Sequence, residues 1–93
     1  MKVQVLYFAD FKDITGKDKE YFDLKKNGLI ELVYLLLEKY ELFKNLIWDE
    51  ENQSLKSIIS LAVNDNLVNK KKQLSLSFSE GDRVAFLLPV SGG

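Results

Sequence analysis

The sequence predicts an α+β fold in which one amphipathic helix lies on one mixed β-sheet. Three observations carry that expectation. Residues 2–8, KVQVLYF, alternate in the manner of a half-buried strand. The stretch GLIELVYLLLEKY repeats its apolar residues at helical spacing. Two apolar runs, KSIISLAVN (56–64) and RVAFLL (83–88), follow it, and the second is introduced by the turn segment SEGD (79–82).

The elements follow in order. In the first strand Val3, Val5 and Tyr7 share one face and form its core side, while Lys2, Gln4, Leu6 and Phe8 share the other. That outward face begins polar and turns apolar at Leu6 and Phe8. After a loop ending at Thr15-Gly16, KEYFDL (19–24) reads as a second strand, with Phe22 and Leu24 on one parity. An antiparallel hairpin with a long loop is expected.

Asn27 is an acceptable N-cap for the helix. Leu29, Leu32, Val33, Leu36, Leu37 and Tyr40 fall on its apolar side, and Glu31, Tyr34 and Glu38 on the other. The next stretch, ELFKNLIWDEENQ, predicts a further helical turn through Phe43, Leu46 and Ile47, then a polar loop. Residues 56–64 form a strand, Asp65-Asn66 a two-residue turn and Leu67-Val68 a short edge strand. In the last strand Val84, Phe86 and Leu88 oppose Arg83, Ala85 and Leu87. The order β-β-α-β-β-β, with one helix against one mixed sheet, has the ubiquitin-like β-grasp as its natural candidate. Residues 1–88 make that domain, and 89–93 an extended tail.

Composition narrows the function. Length 93 bounds the chain to one domain. The 46% hydrophobic and 29% charged fractions suit a folded globular protein. A net charge of −1 offers no electrostatic reason to bind nucleic acid or an anionic membrane. With neither cysteine nor histidine, thiolate chemistry, Ser-His-Asp triads and the usual zinc ligand sets are excluded. No apolar segment reaches the ~20 residues of a membrane span, and the start lacks a signal peptide's apolar run. A cytoplasmic protein without a catalytic nucleophile of its own is expected. Asp49-Glu50-Glu51 and Lys70-Lys71-Lys72 read as solvated loop charges, and Asp10 and Asp13 as turn residues.

Two features point to chemistry. The first is a set of apolar residues on outward parity. Phe8, Leu67 and Leu87 would form a protein-binding patch on the uncovered face of the sheet. The second is the tail, Pro89, Val90, Ser91, Gly92 and Gly93. After Arg83 it has no charged side chain, and proline keeps it extended. Its glycines permit close backbone approach, so the strip is thin enough to enter another protein's site and deliver a Gly93 carboxylate. Once activated by adenylation, that carboxylate would be captured either by a lysine amine or by a sulfur donor. The residues alone leave both outcomes open.

The motifs VLYFADFKDITG (5–16), LAVNDNLV (61–68), EGDRVAF (80–86) and PVSGG (89–93) resemble the MoaD/ThiS family of ubiquitin-like sulfur carriers, and within it the molybdopterin synthase small subunits. With the intervening helix they cover essentially the whole chain. The resemblance implies that Gly93 is adenylated by an ATP-dependent, E1-like activating enzyme and converted to a thiocarboxylate. It implies docking on the large catalytic subunit of molybdopterin synthase through Phe8, Leu67 and Leu87, in a heterotetramer. Sulfur would then pass to cyclic pyranopterin monophosphate to build the molybdopterin dithiolene. No cofactor bound by this chain is implied; ATP belongs to the activating enzyme. Related carriers serve thiazole synthesis or tRNA thiolation, and related modifiers are conjugated through the same glycine. Two departures stand out. Leu88 replaces the first of two prolines common before the family's Val, and 41–57 is longer and more charged than the family pattern.

Overall fold

The computed structural model describes residues 1–89; Val90, Ser91, Gly92 and Gly93 lie outside the described residues. The chain begins with β1 (Lys2–Leu6), whose Val3 and Val5 are fully buried. It pairs antiparallel with β2 (Lys19–Asp23), Val3 facing Phe22 and Val5 facing Glu20. The predicted hairpin is there, but its loop holds a short helix, α1 (Asp10–Thr15). Six residues span less than two turns, and Phe11 alone is buried, which is too little periodicity to register in the sequence. Gly16 ends this helix at φ 70°, its N–H donating to the Lys12 carbonyl at 2.8 Å.

The main helix, α2 (Leu29–Lys39), buries Leu29, Leu32, Val33 and Leu36. Each contributes roughly 1.5–3 kcal/mol by leaving water. Its N-cap is Gly28, in an extended conformation, instead of the expected Asn27. The Asn27 carbonyl accepts from Phe78 N–H at 2.7 Å, which fixes Asn27 one residue before the helix. The Glu31 carboxylate accepts the main-chain N–H groups of Lys25 and Lys26, both at 2.7 Å, and ties the approach to the first turn.

The expected further turn is α3 (Phe43–Ile47), with Phe43 and Ile47 buried. Where the sequence predicts only a polar loop, β3 (Trp48–Asp49) and β4 (Ser54–Leu55) pair in a small hairpin. Trp48 and Leu55 anchor it in the core. Its tip is the acidic run, closed by Asn52, which donates to Asp49 from its main chain at 3.2 Å and its side chain at 2.8 Å.

The remaining strands are β5 (Ser60–Val63), β6 (Asn66–Leu67) and β7 (Arg83–Leu87). The β5–β6 turn sits at Asn64-Asp65, one residue earlier than expected, because both positions take positive φ (51° and 71°). Asn and Asp tolerate that conformation, which a two-residue hairpin turn of the primed type requires. Between β6 and β7, Lys70–Lys72 make a 3₁₀ turn. Lys70 is more than a solvated charge, since its ammonium donates to the carbonyls of Ser57 and Ile59.

The sheet order is β2-β1-β7-β5-β6, with β1 and β7 parallel at its centre and every other pair antiparallel. One face is sealed by the core, to which Val84, Phe86 and Ile59 contribute. The other face is left open, and the predicted parity of β7 holds.

Candidate functional site

The open face carries a continuous apolar row. Register opposes Leu6 to Ala85, Ala85 to Ala62, and Ala62 to Leu67, so these four side chains cross β1, β7, β5 and β6 in one line. The two alanines in the middle are short, and the leucines at the ends are long. The result is a depression of about 300 Å³, bordered by Phe8 and Leu87. Phe8 is 51% exposed and Leu67 73%, while Leu87 is partly covered.

At one end Arg83 and Asp65 form an ion pair at 3.2 Å, both side chains largely exposed. At the other end lie Phe8 and Leu87. Because β7 runs parallel to β1, the chain leaves the sheet at the Phe8 end. The last described residue, Pro89, is exposed there. The structure thus brings Phe8, Leu67 and Leu87 around one depression, as the parity of the sequence predicts. Sequence reading missed Ala62 and Asp65. The signal for Ala62 was its alternation with buried Leu61, but alanine alone does not announce a binding floor.

The β5–β6 turn is held to the segment before β7 by side chains. Asn64 Nδ2 donates to Asp82 Oδ1 at 2.9 Å, and Asn64 Oδ1 accepts from Arg83 N–H at 2.9 Å. Asp82 in turn accepts from Ser79 N–H at 2.8 Å. Gly81, at φ 82°, donates its N–H to the Lys2 carbonyl at 2.8 Å. The AVN and GD motifs are therefore two halves of one latch.

A second polar cluster lies on the core side. Glu20, 9% exposed, accepts from the hydroxyls of Tyr7 (2.9 Å) and Tyr40 (2.7 Å) and from the ammonium groups of Lys17 (3.0 Å) and Lys39. Burial by itself would push its carboxyl up. The donors, with Lys39 foremost, outweigh burial and hold it at about 2. Burial first, and then the Glu20 carboxylate, push the Tyr7 phenol well above its ordinary range. This cluster joins β1, β2 and the end of α2 on the face away from the depression, so it positions the scaffold. Sequence reading missed it, although Glu20 shares parity with Phe22 and Leu24.

Asp10 and Asp13 lie exposed in the first turn of α1. Among the described residues no group of three or more acidic side chains is placed to hold a metal ion. No described helix is long and apolar enough to cross a membrane.

Comparison with known proteins agrees with this architecture. The ThiS family model matches residues 5–93. No curated protein matches in sequence. The small archaeal modifier protein 1 of Methanosarcina acetivorans superposes with a TM-score of 0.82 at 25% identity, covering 99% of this chain and 96% of that one. A chain of the complex of subunits 1 and 2 of the molybdopterin-converting factor from Helicobacter pylori gives 0.65 at 26% identity, with full coverage of both chains. A chain of the Amycolatopsis orientalis BexX/CysO complex gives 0.77 at 24% identity, covering 98% and 99%, a likeness of fold. With the motifs, the β-grasp topology and a family match over nearly its whole length, the chain belongs to the ThiS family of ubiquitin-like sulfur carriers.

Proposed function

We propose that this chain is the sulfur-carrying subunit of a molybdopterin synthase, with the reactive group at Gly93. The observation that carries the reading is the apolar depression bordered by Phe8 and Leu87, beside the point where β7 leaves the sheet toward the Gly-Gly end. A partner seated on that depression would lie beside Pro89, the last described residue before the Gly-Gly end. The sequence likeness to the Helicobacter pylori protein solved with its subunit 2 supports the choice of partner.

The chemistry is a net exchange of oxygen for sulfur. On an ATP-dependent adenylating enzyme, the Gly93 carboxylate attacks the α-phosphorus of ATP, forming an acyl adenylate and releasing pyrophosphate. A sulfide-level donor displaces AMP and leaves a thiocarboxylate. In the large subunit, that sulfur attacks an oxygen-bearing side-chain carbon of cyclic pyranopterin monophosphate, and the new C–S bond replaces a C–O bond whose oxygen leaves as water or on the phosphate. Water then cleaves the acyl–sulfur bond, returns Gly93 to a carboxylate and leaves the sulfur on the pterin. The thiocarboxylate is suited to this because sulfur is the better nucleophile and the acyl carbon remains open to hydrolysis. Two transfers complete the dithiolene.

The likeness to a small archaeal modifier protein favours one second reading, in which a lysine amine captures the adenylate as an isopeptide. Intact-mass spectrometry after incubation with ATP, an adenylating enzyme and sulfide separates the two. Replacement of one C-terminal oxygen by sulfur, followed by its loss to the pterin when the large subunit is added, is the expected result. Higher-mass lysine conjugates without any thiocarboxylate would overturn the carrier reading.

A further inference from the structure

The sheet has one free edge of useful length, β2, and among the described residues nothing pairs with it. Tyr7 N–H donates to the Asp18 carbonyl at 2.8 Å and Leu24 N–H to the Met1 carbonyl at 2.6 Å. Register opposes Val3 to Phe22 and Val5 to Glu20 between those points. Alternation in an antiparallel ladder therefore turns the main-chain groups of Glu20 and Phe22 toward β1 and those of Lys19, Tyr21 and Asp23 outward.

We propose that this edge pairs with the β2 edge of a second copy of the chain, antiparallel about a two-fold axis at Tyr21. In that register Lys19 of each copy faces Asp23 of the other, and Tyr21 faces Tyr21. These are the residues whose N–H and C=O groups point outward, so each opposed pair exchanges both main-chain hydrogen bonds. Charge complementarity selects this arrangement. A parallel pairing would set lysine against lysine and aspartate against aspartate. A shift by two residues separates Lys19 from Asp23 at both contacts: one direction sets Lys19 against Lys25, and the other opposes Asp23 to Lys17, which Glu20 already holds. Charged residues ordinarily protect an edge from pairing; here they protect it from every register except the self-complementary one.

The surroundings leave room for the added strand. Lys19, Tyr21 and Asp23 are all exposed. Asp23 holds the Met1 amine at 3.3 Å through Oδ1, which leaves Oδ2 for the incoming lysine. On the helix side, a cleft of about 440 Å³ lined by Phe22, Leu35, Glu38 and Lys39 borders the edge and leaves space beside it for an incoming strand. The depression at Leu67 and Phe8 lies on other strands, so the pair leaves it open. A single short strand pair buries far less than the ~1,200 Å² of a stable interface. The dimer is therefore weak and reversible, with a dissociation constant on the order of 0.1–1 mM.

Sedimentation velocity of the full chain, from about 10 μM to about 1 mM, tests this. The weight-average mass of the wild type should rise across that range. Lys19→Glu and Asp23→Lys should each weaken self-association by about ten-fold or more, since each turns two attractions into repulsions. An equimolar mixture of the two variants restores an acid–base match at both contacts and should associate about as well as the wild type. That restoration also shows that the variants are folded. A wild type that stays monomeric, an association that both substitutions leave unchanged, or a mixture no stronger than its components would overturn the proposal.

Discussion

The side-chain amide of Asn64 donates to Asp82 at 2.9 Å, joining residues 18 positions apart. Asn64 therefore does two jobs: it accepts a positive φ of 51° in the turn and latches that turn to the residue before β7. Asn64→Gly keeps the conformational tolerance and loses the two side-chain hydrogen bonds, whereas Asn64→Ala loses both. We expect destabilisation of about 1–2 kcal/mol for glycine and about 1 kcal/mol more for alanine, measured by urea unfolding. Equal values for the two would show that backbone conformation is not a factor.

Acid titration should report Glu20. Its folded-state carboxyl lies at about 2, below the ordinary 4.5, so its contribution is fully present above about pH 4.5 and is lost as pH falls toward 2. Its lysine partners are 46% and 49% exposed, and solvent screening trims the effect to on the order of 2 kcal/mol. Glu20→Gln should cost about that much at neutral pH and flatten the fall in melting temperature across that acid window. A variant with the same acid profile as the wild type would place the pH dependence elsewhere.

Docking should depend on the open face. Replacing Leu67 or Phe8 with aspartate should change unfolding free energy by less than about 0.5 kcal/mol, since both are largely exposed. Affinity for the proposed partner, a molybdopterin synthase large subunit, read by calorimetry, should fall by about 2 kcal/mol, roughly thirty-fold. Ala85→Asp is the severe case, since it buries a charge in the floor of the depression, where Ala85 is 6% exposed.

Deleting Gly93 should abolish thiocarboxylate formation and leave the melting temperature unchanged. Val84 and Phe86 of β7 belong to the core, and Leu88 packs against that core. Intact mass and thermal unfolding of the same sample check both halves of this prediction. A truncated chain that still transferred sulfur would place the reactive group elsewhere.

Much of this was legible beforehand because alternation and helical spacing are local signals. Val3, Val5 and Tyr7 sit inside as their parity requires, and Leu29, Leu32, Val33 and Leu36 form the buried stripe of α2. What escaped was short or depended on distant partners. The helix around Phe11 and the hairpin of Trp48 and Leu55 are each too brief to show a period; both form because Phe11, Trp48 and Leu55 reach the core. Asn27 yields its expected capping place to Gly28, because its carbonyl is committed to Phe78 from a remote segment.

The sequence by itself determined the α+β class, the inward and outward faces of β1 and β7, and the apolar character of Phe8, Leu67 and Leu87. It also supplied the motifs that place the chain in its family. Only the tertiary structure decided that Leu6, Ala85, Ala62 and Leu67 line up across four strands, that Asn64 meets Asp82, and that Glu20 is surrounded by four donors. The physical reason is the range of each signal. Side-chain parity is fixed by the backbone of a single strand, whereas strand order and register are set by packing between segments far apart in the chain.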